Sequence, residues 1–239
     1  MVVEVKGKVL IADLSGVYGE EGFPEALQAA GYDVVRLDFR TQEGTECYCD
    51  PEAETYLRKC FASCRERVRW IDGGDYHYLS KLFAEREKEP FTLVLLDHHP
   101  DDQAPALGEI LSCGGWVRDL KRDCPALEGV IAVGPEGAIQ TVDQLRSALR
   151  DAAPARVYVS LDKDVMDPAD ARTNWSQGEL RLPQVLEMLR TVFESGAEVI
   201  GMDICGELSG AKGGHAEDFG VNLKTNRAIQ AFISDYNYD

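Results

Sequence analysis

Short apolar runs and longer amphipathic stretches alternate along this chain. The runs cover residues 8–12, 33–37, 68–71, 92–96, 129–133, 156–161 and 198–202 and are rich in Val, Ile and Leu. Runs of this length, apolar at successive positions rather than at every second one, fit strands covered on both faces. Between them the apolar spacing becomes helical. Asp50 supplies a side chain that can accept from a first helical turn, and Pro51 is already locked near helical φ, so a helix is expected from there to about residue 67. Leu182, Val185, Leu186, Leu189 and Val192 fall on one face of a second helix over 182–194. Further helices are expected over 22–30, 79–88, 103–112, 142–151 and 218–235. The alternation predicts an α/β fold, a mostly parallel sheet flanked by helices.

Length and composition narrow the picture. A chain of 239 residues with no linker tract and no internal repeat is expected to form one domain over 1–239. Its 44% hydrophobic and 28% charged residues are ordinary for a soluble protein. The opening residues, Met1 to Lys6, have neither a basic n-region nor a long apolar h-region. No run approaches the ~18 apolar residues of a membrane span, so a cytoplasmic location is expected. A net charge of −17 argues against nucleic acid and anionic membrane partners, whose phosphates it would repel. It is compatible with a small cationic substrate, although solubility is the better explanation of the charge. Seven cysteines, an odd number, fit reduced thiols better than a disulfide framework. Cys47 and Cys49 lack the two-residue gap of a zinc knuckle, and Cys60 and Cys64 lie one helical turn apart, so these read as packed thiols.

Three segments carry the chemistry: Gly73-Gly74-Asp75-Tyr76-His77, Asp97-His98-His99-Pro100-Asp101, and Ser160 through Pro168 with Asp162, Asp164 and Asp167. Asp97 and Asp162 follow apolar runs directly, Asp203 closes another, and His77 follows a fourth closely. Ligands in open α/β sheets bind beyond the carboxyl ends of strands. Residues two apart on extended chain point the same way, which would gather Asp97, His99 and Asp101, and likewise Asp162 and Asp164. Carboxylates crowded together need a cation to neutralise them. His77, Asp97, His99, Asp101, Asp162 and Asp164 offer oxygen and imidazole donors, suited to Mn(II), Fe(II), Co(II), Ni(II) or Zn(II). Four carboxylates are balanced by two divalent ions, and the oxygen-rich set favours manganese. Two-metal sites hold their ions roughly 3.5–4 Å apart and acidify bound water.

These segments resemble the arginase and agmatinase (ureohydrolase) superfamily, whose patterns read GGDHS, DAHxD and SxDxDxxDP. Asp97, His99 and Asp101 match the second pattern at its ligand positions, and Ser160 to Pro168 match every defined position of the third. Gly178-Glu179-Leu180 before a helix looks like the superfamily's GGL segment, so the resemblance runs from about residue 71 to 207. It implies a three-layer α/β/α architecture with a mostly parallel central sheet. It also implies a binuclear manganese hydrolase that cleaves a C–N bond of a small guanidino or amidino compound by attack of a metal-bridging hydroxide, and a homo-oligomer. One ion would take His77, Asp97, Asp101 and Asp162, and the other Asp97, His99, Asp162 and Asp164. Asp101 would orient the hydroxide and Asp167 would cap the turn.

The departures concern the substrate loops. Tyr76 is inserted before His77, and no histidine lies between the second and third patterns. Ala169 to Ser176 replace an APGTGTP run, and Glu207 falls one position late for a DxxE. His98 should face away from the ions. His215 could supply the missing proton shuttle or be a solvated loop residue. Glu207 could pair with a cationic substrate or be an ordinary salt-bridged acid. Trp175 and Trp116 could wall a cationic pocket or pack in the core. Two other readings stand beside the hydrolase: a deacetylase-like amidohydrolase with one zinc, and a non-catalytic metal- or metabolite-binding protein.

Overall fold

The computed structural model describes residues 6–104, 108–135 and 138–236. In chain order the elements are β1 (Lys8–Asp13), α1 (Val17–Glu21), α2 (Phe23–Ala29), β2 (Asp33–Asp38), β3 (Tyr48–Cys49), α3 (Pro51–Phe61), β4 (Val68–Trp70), α4 (Leu79–Ala84), β5 (Phe91–Leu96), β6 (Leu111–Ser112), α5 (Trp116–Asp123), β7 (Leu127–Val133), α6 (Val142–Ala152), β8 (Arg156–Asp162), α7 (Leu182–Phe193), β9 (Glu198–Cys205) and α8 (Ala216–Ser234). Seven strands form one parallel sheet in the order β2-β1-β4-β9-β8-β5-β7. Each of the seven apolar runs supplies one of them.

The runs are apolar at successive positions because both faces are covered. In β5, Leu93 and Leu95 pack into one core while Val94 and Leu96 pack into the other. The first core lies under α3, α4 and α5, through Leu57, Phe61, Phe83 and Leu120. The second lies under α1, α2, α6, α7 and α8, through Tyr18, Phe23, Leu145, Leu189 and Ile233. Each such side chain, fully buried, contributes about 1.5–3 kcal/mol. The result is the three-layer α/β/α arrangement, with all seven strands ending on the same edge.

Several helix boundaries differ from the expected ones. The helix begun by Asp50 stops at Phe61 rather than near residue 67. Val68 must pair with Val9 and Met202 in the sheet, so the preceding residues run out as a connection. α4 ends at Ala84 rather than 88. The helix expected over 103–112 falls partly on 105–107, outside the described residues, and at 111–112 the chain is β6, pairing antiparallel with β3. α1 and α5 are additional: each is short, five and eight residues, and each begins directly after a glycine.

Candidate metal centre

Four strand ends build the site. Asp97 follows β5 directly, and Asp162 is the last residue of the neighbouring β8. His77 is carried beyond β4 by a single 3₁₀ turn, Gly74–Tyr76, so the inserted Tyr76 belongs to the turn that delivers the histidine. Cys205 closes β9 opposite Asp162. The acids converge through turns rather than through strand alternation. Asp162 Oδ1 accepts from Asp164 N at 2.9 Å within a 3₁₀ turn. Asp97 Oδ1 accepts from His99 N at 2.6 Å. Asp101 sits at φ 46, a left-handed conformation rare outside glycine and common where function over-determines the backbone.

His77 Nδ1 lies 3.0 Å from Asp101 Oδ2, 3.3 Å from Asp97 Oδ2 and 3.5 Å from Asp162 Oδ2. His99 Nδ1 lies 2.8 Å from Asp164 Oδ2 and 3.7 Å from Asp97 Oδ1. Asp97 therefore turns one oxygen toward each histidine. His77, Asp97 and Asp101 form one group with the spacing of a cation site; Asp97, His99 and Asp164 form a second. His77, Asp162 and Cys205 form a third.

A hydrogen-bond chain beneath His77 sets its orientation. Ser160 Oγ donates to Asp203 Oδ1 at 2.6 Å, so it accepts from His77 Nε2–H at 2.9 Å. That leaves Nδ1 as the ring nitrogen that faces the carboxylates, the one a metal ion would take. Asp203 also accepts from Ser80 Oγ and Tyr158 OH. Asp203 is thus a positioning residue inside β9, paired with Ser160, and not a strand-end group as its place after an apolar run suggested. Trp116 Nε1 donates to Asp101 Oδ2 at 2.7 Å and its ring lies 4.9 Å from His77.

Burial, and after it the charges of Asp164 and Asp97, push Asp162 up to about 7. Burial and Asp97 likewise push Asp164 up to about 6. Hydrogen bonds to Asp164 and Asp97 raise His99 to about 10. Asp97 Oδ2, on a side chain 1% exposed, accepts no hydrogen bond from the described residues. A buried carboxylate oxygen without a hydrogen bond costs on the order of 1–3 kcal/mol. Two imidazoles and four acids with this unmet charge fit divalent cations.

A cavity of about 240 Å³ opens over these groups, walled by Cys47, Tyr48, Gln103, Cys113 and Trp175. Trp175 Nε1 donates to Asp75 Oδ1 at 2.9 Å, and Lys212 Nζ holds Asp75 Oδ2 at the same distance. Gly74 lies under this indole: a Cβ there would come within 2.8 Å of Trp175. Trp116 is fully buried beneath the centre. His98 does not line the cavity, and its N–H donates to Asp164 Oδ1.

Two expected substrate-loop residues lie elsewhere. His215 is exposed at the N-terminus of α8, with its N–H donating to Asp218, and does not line the cavity. Glu207 is 1% exposed and directed away from the cavity, paired with Lys163 Nζ at 2.6 Å and Asn226 Nδ2 at 2.9 Å. Its displaced position leaves Gly206, at φ 93, where the chain turns inward; a Cβ there would meet Asp162 Oδ1 at 2.5 Å. Asp167 Oδ1 accepts from Ala169 N at 2.8 Å and closes the turn after the third segment. Cys205 escaped the sequence reading; Asp203 was noted as a strand-end acid and Ser160 as the first residue of the third pattern, but neither was read as a support for His77.

No family model matches the chain. An uncharacterised protein of Thermotoga maritima is 27% identical over 203 residues, covering 82% of this chain and 78% of that protein. Proclavaminate amidinohydrolase from Streptomyces clavuligerus superposes with a TM-score of 0.69 at 18% identity, over 99% of this chain and 93% of that one. The agmatine ureohydrolase of Thermoplasma volcanium gives 0.68 at 15% identity, over 98% and 91%. An α/β/α sandwich with seven parallel strands, overlaid on these enzymes along nearly its whole length, has the arginase-like fold that they share.

Proposed function

We propose that this protein is a metal-dependent hydrolase that cleaves a C–N bond of a small amidino or guanidino compound. The observation that carries the reading is Asp97, whose two oxygens face two histidine nitrogens while one of them lacks any hydrogen bond. The similar solved structures include an amidinohydrolase and an agmatine ureohydrolase, which supports this reaction class. One ion would be held by His77, Asp97, Asp101 and Asp162, and the other by Asp97, His99, Asp162 and Asp164. Manganese suits the oxygen-rich donors. Two such ions supply a nucleophile at neutral pH by acidifying water.

The chain's own groups do the rest. Asp101, fixed by the Trp116 indole, is placed to take a proton from the attacking water and return it to the leaving amine. Asp203, through Ser160, keeps the His77 proton on Nε2. Among the described residues no Lys or Arg lines the cavity, and Trp175 offers it an aromatic face, which suits a neutral or cationic substrate. Seven free thiols suit a reducing, cytoplasmic setting.

A second reading draws on Glu207 and His215. With both outside the cavity, the guanidinium clamp and the shuttle histidine have no counterpart among the described residues, as in a binding protein that has kept the fold and lost turnover. Urea and ammonia release, measured over a panel of guanidino and amidino compounds with Mn(II), decides. Turnover of at least one is expected; none, with two ions bound, favours the binding protein, and a single bound zinc favours a deacetylase-like enzyme.

A further inference from the structure

We propose that Cys205 is a sulfur ligand to the ion held by His77 and Asp162, so that this half of the centre selects zinc, cobalt or ferrous iron over manganese. The inference rests on the metal-centre reading above and refines it. Cys205 Sγ lies 3.1 Å from Asp162 Oδ2, and the same oxygen lies 3.5 Å from His77 Nδ1. The sulfur, a carboxylate oxygen of Asp162 and a ring nitrogen of His77 are all within 4.8 Å of one another. Donors bound to one ion, at about 2.3 Å for sulfur and 2.0–2.2 Å for oxygen, stand roughly 3–3.7 Å apart. The sulfur–oxygen separation falls in that range.

Independent support comes from Asp97 Oδ2, fully buried, without a hydrogen bond, and 3.3 Å from the same His77 nitrogen. Its unmet charge calls for a cation beside His77, the residue common to the group that holds Asp97 and the group that holds Cys205. Packing alone does not ask for a cysteine there. Cys205 is 0% exposed among apolar neighbours, where valine would serve, yet its sulfur is turned to a carboxylate. On binding, the thiol proton passes to water and a sulfur–metal bond forms, with no change of oxidation state. A thiolate among the donors moves preference away from manganese and toward softer ions.

Cobalt tests this without recourse to turnover. Metal-free protein titrated with Co(II) should develop a near-ultraviolet sulfur-to-cobalt charge-transfer band that saturates at one ion per chain. Cys205→Ser and Cys205→Val should lose the band, while a Cys47→Ser/Cys113→Ser variant, lacking the thiols that line the cavity, should keep it. Zinc-over-manganese preference should fall at least about tenfold in Cys205→Ser, the lower end of what even supporting residues of metal sites contribute. Two ions bound per chain with no such band would overturn the ligand and leave the centre standing. A band that survives in Cys205→Ser would overturn it as well. Wild-type protein that binds no divalent ion would remove the ligand and the centre together. Should both Cys205 variants fail to fold, the wild-type band and its persistence without Cys47 and Cys113 still decide.

Discussion

Asp162 is the side chain on which the centre turns. One of its oxygens holds the backbone of Asp164, and the other faces His77 and Cys205. Asp162→Ala should therefore lose metal from both halves as well as any turnover, read by elemental analysis after dialysis; unchanged metal content would sink the ligand assignment. Proton competition gives a second expectation. Asp162 at about 7 and Asp164 at about 6 hold protons below those values. Metal affinity should rise with pH through that window as the carboxyls ionise. In metal-free protein the sign for stability is opposite. Both folded-state values lie above the ordinary carboxyl value of 3.8, so the folded form binds more protons than the unfolded form between about 4 and 7. Their contribution is complete at lower pH and is lost as pH rises through the window, so urea midpoints of metal-free protein should fall from pH 5 to pH 7.5. At this scale the six candidate ligands were legible because Asp and His spaced around strand ends are chemically unusual. Ser160 and Asp203 were not, since an ordinary serine and a buried acid reveal their use only when the fold puts one under His77. His215 and Glu207 could be read from type and position alone, and neither property says which way a side chain turns.

At the scale of elements, the strands carry their own signature and the helix ends do not. Asp50 Oδ1 accepts from Glu52 N at 3.0 Å and Ala53 N at 2.8 Å, so the start of α3 was evident from sequence. Asp50→Ala should cost about 1 kcal/mol, measured by denaturant unfolding, with metal binding unaffected. Where α3 stops depends on the distance left to reach β4, which no local pattern encodes. The junction of β9 with the loop after it is the opposite case, short and intolerant. Gly206 is in the left-handed region with Asp162 Oδ1 and Lys163 N against the place a Cβ would occupy. Gly206→Ala should cost roughly 1–3 kcal/mol and weaken metal binding as well, because the strained backbone pushes on Asp162, a candidate ligand. Full metal content in a destabilised Gly206→Ala protein would show that strain and site are uncoupled.

Across the whole molecule, the centre gathers like charges that the fold alone leaves unbalanced. Divalent ions bind only where the ligands have been assembled, so they should stabilise the folded form. At about 100 times the dissociation constant the gain is ~2.7 kcal/mol, or roughly 5–10 °C in melting temperature for a chain of this size. A melting temperature indifferent to chelator would count against any assembled centre. The sequence by itself determined the seven parallel strands, the two covered faces and the edge on which the chemistry lies, because apolar periodicity and strand-end acids are local properties of the chain. Only the tertiary structure decided that Glu207 turns to Lys163, that His215 remains at the surface, that Asp203 orients His77 and that Cys205 reaches Asp162. Those outcomes depend on which strands become neighbours and how the loops fold back over them, and such contacts form between residues remote in sequence.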